Sequence, residues 1–236
     1  MSGWKTYAYL ILAAVLGTAT IWTGISWLVP LAQTGLAYPV LYRDLKAGRF
    51  GPAITHMLFW AVIVSLTTIQ FAIHQHEITA ATILRGEPYR VEMFGWIETG
   101  IGAEGSPRQF IPEHLRHYGT TLLVSALSFS AAGLFLGSIL LDYMNYYVGS
   151  LILMGSNPGL ASVIGWPIWS MVRVGGFICG AIAMGHLGMT RGLRRGDFDA
   201  PTFRRVMIWS VALFLGDIIL KATLAPSWRE MLQKAL

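Results

Sequence analysis

The stretch from Trp166 to Met189, WPIWSMVRVGGFICGAIAMGHLGM, is long enough to cross a bilayer and carries one permanent charge, Arg173. At about 100° per residue, Arg173 shares a helical stripe with Gly176, Gly180 and Met184. Glycines at that spacing let a second helix approach closely in lipid, and an intramembrane arginine faces protein or water rather than acyl chains. The segment is therefore expected to turn this stripe into the interior of a helix bundle.

The rest of the chain supplies partners for it. Of 236 residues, 54% are hydrophobic and 12% charged, where a soluble domain has about a quarter charged. Four more runs reach spanning length, about twenty residues. The reading is one all-α, polytopic membrane domain over residues 1–236, with about five transmembrane helices near 7–29, 53–73, 118–141, 166–189 and 206–224. The Pro- and Gly-punctuated connection 30–52 is expected to lie in the membrane interface. A re-entrant or interfacial hairpin is expected over 148–165, where Gly-Ser-Asn-Pro-Gly splits two short apolar pieces. The polar loop 74–117 holds six of the twelve acidic residues, and Pro112 suits an early start to the helix that follows.

The net charge of +5 comes from basic residues in short segments between apolar runs, which records membrane orientation rather than nucleic-acid binding. With the N-terminus inside, the inner side collects ten basic residues, among them Arg191, Arg194, Arg195, Arg204 and Arg205, and the outer side six. That predicts a cell-membrane protein, of an inner membrane where there are two, with a cytoplasmic N-terminus and an external C-terminus. The single cysteine, Cys179, lies in an apolar run, so no intrachain disulfide or cysteine metal site is expected.

Two groups of residues carry candidate chemistry. By helical rise, Arg173 lies about 10 Å and Asp217 about 13 Å below the same membrane face. Asp217 and Lys221, four apart, share a helix face. A buried network of Arg173, Asp217 and Lys221 follows, because an isolated charge in hydrocarbon costs several kcal/mol and pairing reduces that cost. Asp-x-x-x-Lys in a last helix also resembles, in two residues, the retinal-binding helix of microbial rhodopsins, which have seven spans where five are read here.

The second group is a histidine face. Alternation of five spans puts His74, His76, His114, His117 and His186 toward one side, with Glu77 and Glu113 close by in sequence. Imidazoles and carboxylates together suit Zn, Fe, Mn or Cu, and His74, His117 and His186 are candidate axial ligands for haem b. The spacing is neither His-Glu-x-x-His nor the Glu-x-x-His of di-iron bundles, and no Walker A, Gly-x-Ser-x-Gly or Rossmann glycine pattern occurs.

Two functions remain. One is a non-enzymatic multi-pass subunit, a small permease or the membrane component of a larger complex, with the charged trio at its polar centre. So small a bundle is expected to associate with other membrane subunits or with itself. The other is a membrane-bound redox or metal-dependent enzyme subunit that uses the histidine face.

Overall fold

The computed structural model describes residues 3–192 and 198–236. Arg194 and Arg195, part of the expected orientation signal, lie outside them. The chain forms an all-α bundle: α1 (Gly3–Ala19), α2 (Leu28–Lys46), α3 (Phe50–His74), α4 (His76–Thr82), α5 (Gly86–Thr99), α6 (Pro107–Ser128), α7 (Ala131–Met154), α8 (Pro158–Ile164), α9 (Ile168–Leu187) and α10 (Ala200–Gln233). Four stretches, Gly3–Thr23, Phe50–His74, Pro158–Gly192 and Ala200–Gln233, contain helix long and apolar enough to cross a membrane.

Among the described residues seven helices are long, and cross-contacts show that they alternate in direction. Arg43 reaches back to Thr6 and Gln33 to Thr18, so α1 and α2 are antiparallel. Gln33 meets Asp142 while Tyr38 meets the carbonyl of Phe129, so α2 and α7 are antiparallel as well. Arg173 faces Asp217 and Trp169 packs on Trp228, which sets α9 against α10. The chain thus starts at one end of the bundle, here the near end, and finishes at the other, the far end.

Two sequence expectations need correction. The connection 30–52 is mostly α2, a helix built into the bundle rather than a piece at its surface. Its hydropathy is low because Gln33, Thr34 and Asp44 are polar, yet all three are buried and hydrogen-bonded. It packs tightly on α1, where a Cβ on Gly17 would lie 2.7 Å from Gln33 Cα. The run 118–141 is likewise not one helix. Phe129 and Ser130 adopt left-handed backbone, with φ of 53° and 71°, and reverse the chain between α6 and α7. Ser130 Oγ fixes that turn by donating to the carbonyl of Ala181 on α9.

The expected hairpin over 148–165 divides differently. Val148–Met154 completes α7, and Asn157 caps the short α8, its side chain accepting from the Leu160 N–H. The segment after residue 74 also stays close to the bundle. α5 packs across the far end against α7 and α10, where Arg229 donates to the carbonyls of Trp96, Ile97 and Glu98. Glu87 on α5 accepts from Arg90 and, at 2.9 Å, from Tyr146 on α7. The Arg90 hydrogen bond foremost, against the opposing effect of burial and with help from the Tyr146 hydrogen bond, holds its carboxyl down at about 2.

Candidate functional site

The stripe on α9 places the charges. Gly176 lies against the backbone of α10, where a Cβ would sit 3.1 Å from the Ser210 carbonyl oxygen, and Gly180 faces Leu122, Ser210 and Tyr118. Small residues there bring α9, α10 and α6 together, and Ser210 Oγ completes the seam by donating to the Gly176 carbonyl. One turn toward the far end, Arg173 donates from Nε and Nη2 to the two oxygens of Asp217, both at 3.0 Å. A bidentate pair fixes orientation as well as charge. His114 on α6 closes the arrangement, its Nδ1 3.0 Å from Asp217 Oδ2 but off the line of a hydrogen bond.

Lys221 is placed differently from the expected trio. It lies one turn beyond Asp217, but its Nζ is 2.9 Å from Glu104 Oε2 and 4.6 Å from the centre of the Phe110 ring. The centre is thus two neighbouring ion pairs, Arg173–Asp217 and Lys221–Glu104, with His114 beside the first. Glu104 sits in the turn Ala103–Gly105 between α5 and α6, far from Lys221 in sequence. No local pattern in that polar loop marks it as a partner for a membrane lysine.

The charged centre borders a cavity. A hollow of about 80 Å³ runs between α2, α3, α6, α7 and α9, walled by Leu41, Met57, Trp60, Leu134, Gly137, Phe177 and Ile178 among others. Arg173, His114, His117, Thr121, Ser130 and Ser170 form the polar part of its wall. On α9 the wall runs from Ser170 to Ile182, about 18 Å by helical rise. The hollow is therefore long and narrow. No family model, characterised protein or solved structure matches this chain. The chemistry must be read from the site itself. The rhodopsin likeness now has seven long helices, but its lysine is ion-paired to Glu104 and forms no part of the cavity wall.

The histidine face is not assembled. α2 adds a crossing, which sends the end of α3 and the start of α6 to the far end, and the reversal within 118–141 cancels that shift for α9, which ends at the near end. His186 lies there, its Nδ1 3.2 Å from the Leu45 carbonyl and its ring against Phe50. The other four are at or toward the far end, with separate partners. His76 stacks on Tyr146, His114 faces Asp217, and His117 is 3.9 Å from Glu113, while His74 and Glu77 end α3 and begin α4. Among the described residues no group of three or more His, Cys, Asp or Glu side chains is placed to hold a metal ion. Haem ligation that pairs His186 with His74 or His117 would have to bridge opposite ends of the bundle.

Two polar clusters escaped the sequence reading. At the near end, buried Asp44 is ringed by Arg43 at 3.0 Å, Arg49 at 2.5 Å and His56 at 2.6 Å. Inside the bundle, Asp142 accepts from Gln33 at 2.9 Å and Thr68 at 3.3 Å. Asp44 and His56 could have been found from Asp-x₄-Arg-x₆-His, had residues 30–46 been read as helix.

Proposed function

We propose that the protein is a non-enzymatic, multi-pass membrane protein of the carrier type. It takes one small, largely apolar molecule into the cavity between α2, α3, α6, α7 and α9, and Arg173, Asp217 and His114 form its polar centre. The observation that carries this reading is the meeting of the two features: Arg173 and His114 belong both to the charged centre and to the wall of an otherwise apolar hollow. Ligand sites between the helices of bundles combine an apolar lining with a few convergent polar groups. A clamp that served only to pack α9 on α10 needs no hollow beside it.

In this reading all seven long helices cross the bilayer. Of the three outside the four apolar stretches, α2 and α7 pair polar side chains through Gln33–Asp142 and Thr34–Ser138, and α6 turns His114 and Tyr118 to Asp217 and Ser210 on α10. Lys5, Arg43, Lys46, Arg49, Arg191, Arg204 and Arg205 then gather at the near end, and the α9–α10 connection adds Arg194 and Arg195 in sequence. Six basic residues, Arg85, Arg90, Arg108, Arg116, Arg229 and Lys234, belong to the far end. The excess supports a cytoplasmic N-terminus and an external C-terminus.

Gly137 supplies the test. It lines the cavity, and a Cβ built there meets nothing within 4 Å. Gly137→Leu therefore fills the hollow without a clash at its root, and removing a mid-helix glycine favours the helix by about 1 kcal/mol. The variant is expected to melt no lower than the wild type. Mass spectrometry of organic extracts should find a lipophilic small molecule retained by the purified wild type and lost from the variant. Equal retention by both proteins would rule out this cavity as the binding site.

A further inference from the structure

Beside the inner cavity lies a second hollow of about 250 Å³, between α3, α7 and α9. Ala61, Leu141, Met144, Ser170 and Val174 belong to the walls of both. The outer hollow is also lined by Val62 and Met171, which are 51% and 52% exposed. It therefore opens on the outer surface of the bundle, partway along two apolar helices. A surface of that composition in a membrane-spanning bundle faces acyl chains, not water. The inner cavity and the bilayer are separated by a thin shared wall of mostly flexible or small side chains.

Charge and hydrogen bonding narrow what could pass. Each fixed charge at the centre already has its opposite: Arg173 has Asp217 and Lys221 has Glu104. An ionised ligand group brought beside them would stay uncompensated in a low-dielectric interior, at a cost of several kcal/mol. Hydrogen-bond donors, by contrast, are in surplus. Trp60 lines the cavity, is 2% exposed, and its Nε1–H is buried with no partner among the described residues. Arg173 spends only Nε and Nη2 on Asp217, which leaves the N–H groups of Nη1 for another acceptor. A buried indole N–H is expected to find a partner, and a ligand oxygen can be that partner.

Resting on the carrier function proposed above, we infer that the ligand is a neutral, unbranched, lipid-soluble carbonyl compound. It reaches the cavity sideways from the bilayer, through the opening between α3, α7 and α9. Its oxygen accepts hydrogen bonds from the cavity's unspent donors, and its chain lies along the slot, whose narrowness excludes branched or polycyclic skeletons.

The probe is 2-dodecanone, a neutral ketone on a straight chain, with dodecanoate and dodecylammonium as charged comparators of equal length. Radiolabelled 2-dodecanone is expected to bind saturably to the purified full-length protein in detergent, with the comparators at least 10-fold weaker as competitors. The infrared carbonyl band of the bound ketone should move to lower frequency, and part of that shift should disappear in Trp60→Phe. Val62 is half exposed at the mouth of the outer hollow, so Val62→Trp narrows the opening without touching the core. Association in that variant should slow at least 10-fold in reconstituted vesicles, with the final occupancy unchanged. Competition by dodecanoate as strong as by the ketone would overturn the ligand class, and an unchanged association rate in Val62→Trp would overturn the route. Failure of Gly137→Leu to displace any of the three probes would instead sink the carrier function itself.

Discussion

Arg173→Gln is expected to lower stability by about 3–5 kcal/mol, because it leaves the buried carboxylate of Asp217 without its charge partner. Asp217 is fully buried and receives two hydrogen bonds from that one guanidinium. His114 Nδ1 is near but misaligned, so it does not replace them. A thermal melt in detergent checks the loss. The informative partner is the double variant Arg173→Met with Asp217→Leu, which removes both charges and keeps apolar volume. Replacing a whole buried ion pair with well-packed hydrophobic side chains is often neutral or stabilising by about 1–4 kcal/mol. The double variant should therefore regain most of the stability that the single variant loses. If the pair is the polar centre of a binding site, the refolded double variant still fails to retain cargo. If it is only a clamp, retention returns with stability.

That contrast bears on what the sequence could and could not convey. The Arg173–Asp217 contact was legible because both halves obey rules local to one helix: a charge on a small-residue stripe, and a depth counted from the span ends. The stripe itself is explained by contacts, since α10 lies against Gly176 and both α6 and α10 lie against Gly180. Lys221 illustrates the limit of such rules. Its spacing from Asp217 was correct, but its partner is Glu104, which reaches it only because α5 and the following turn fold back over the far end of the bundle. Nothing within a few residues of Glu104 encodes that return.

Helix division failed for a related reason. α2 satisfies its polar groups against α1, α3 and α7, through Thr18, His56 and Asp142, so its low hydropathy records internal partners rather than exposure to water. The reversal at Phe129 and Ser130 uses two non-glycine residues in left-handed backbone, where turn signals come from Gly, Asn or Pro. The omitted helix carries His74, His76, His114 and His117 to the far end, and the unmarked turn cancels that shift for α9, so His186 stays at the near end apart from the other four. The histidine face depended entirely on that count.

The Glu104–Lys221 pair should give the second large effect, and a distinctive one in acid. Burial opposes the charge on Glu104, but Lys221, and after it Arg173, outweigh burial and hold the carboxyl below its ordinary value of 4.5. A carboxyl lowered on folding stabilises the protein above its unfolded pKa, and that contribution disappears as pH falls through the folded value. The wild type should therefore lose stability below about pH 4, within the range where free carboxylates protonate. Glu104→Gln cannot titrate, so its melting temperature should fall less steeply over that range. At neutral pH the same substitution should cost about 3–5 kcal/mol, because Lys221, 1% exposed, is left without its counter-ion. Glu104→Leu with Lys221→Met should recover most of that loss and show the same flattened acid limb. The pair also ties the 100–106 turn down over the bundle, so its loss has a local signature. Trypsin cleavage at Arg108, exposed in the first turn of α6, should accelerate in Glu104→Gln relative to cleavage at Arg43, Arg49 and Arg191. Uniform acceleration at all four arginines would mean that the pair supports global stability alone and does not hold the turn.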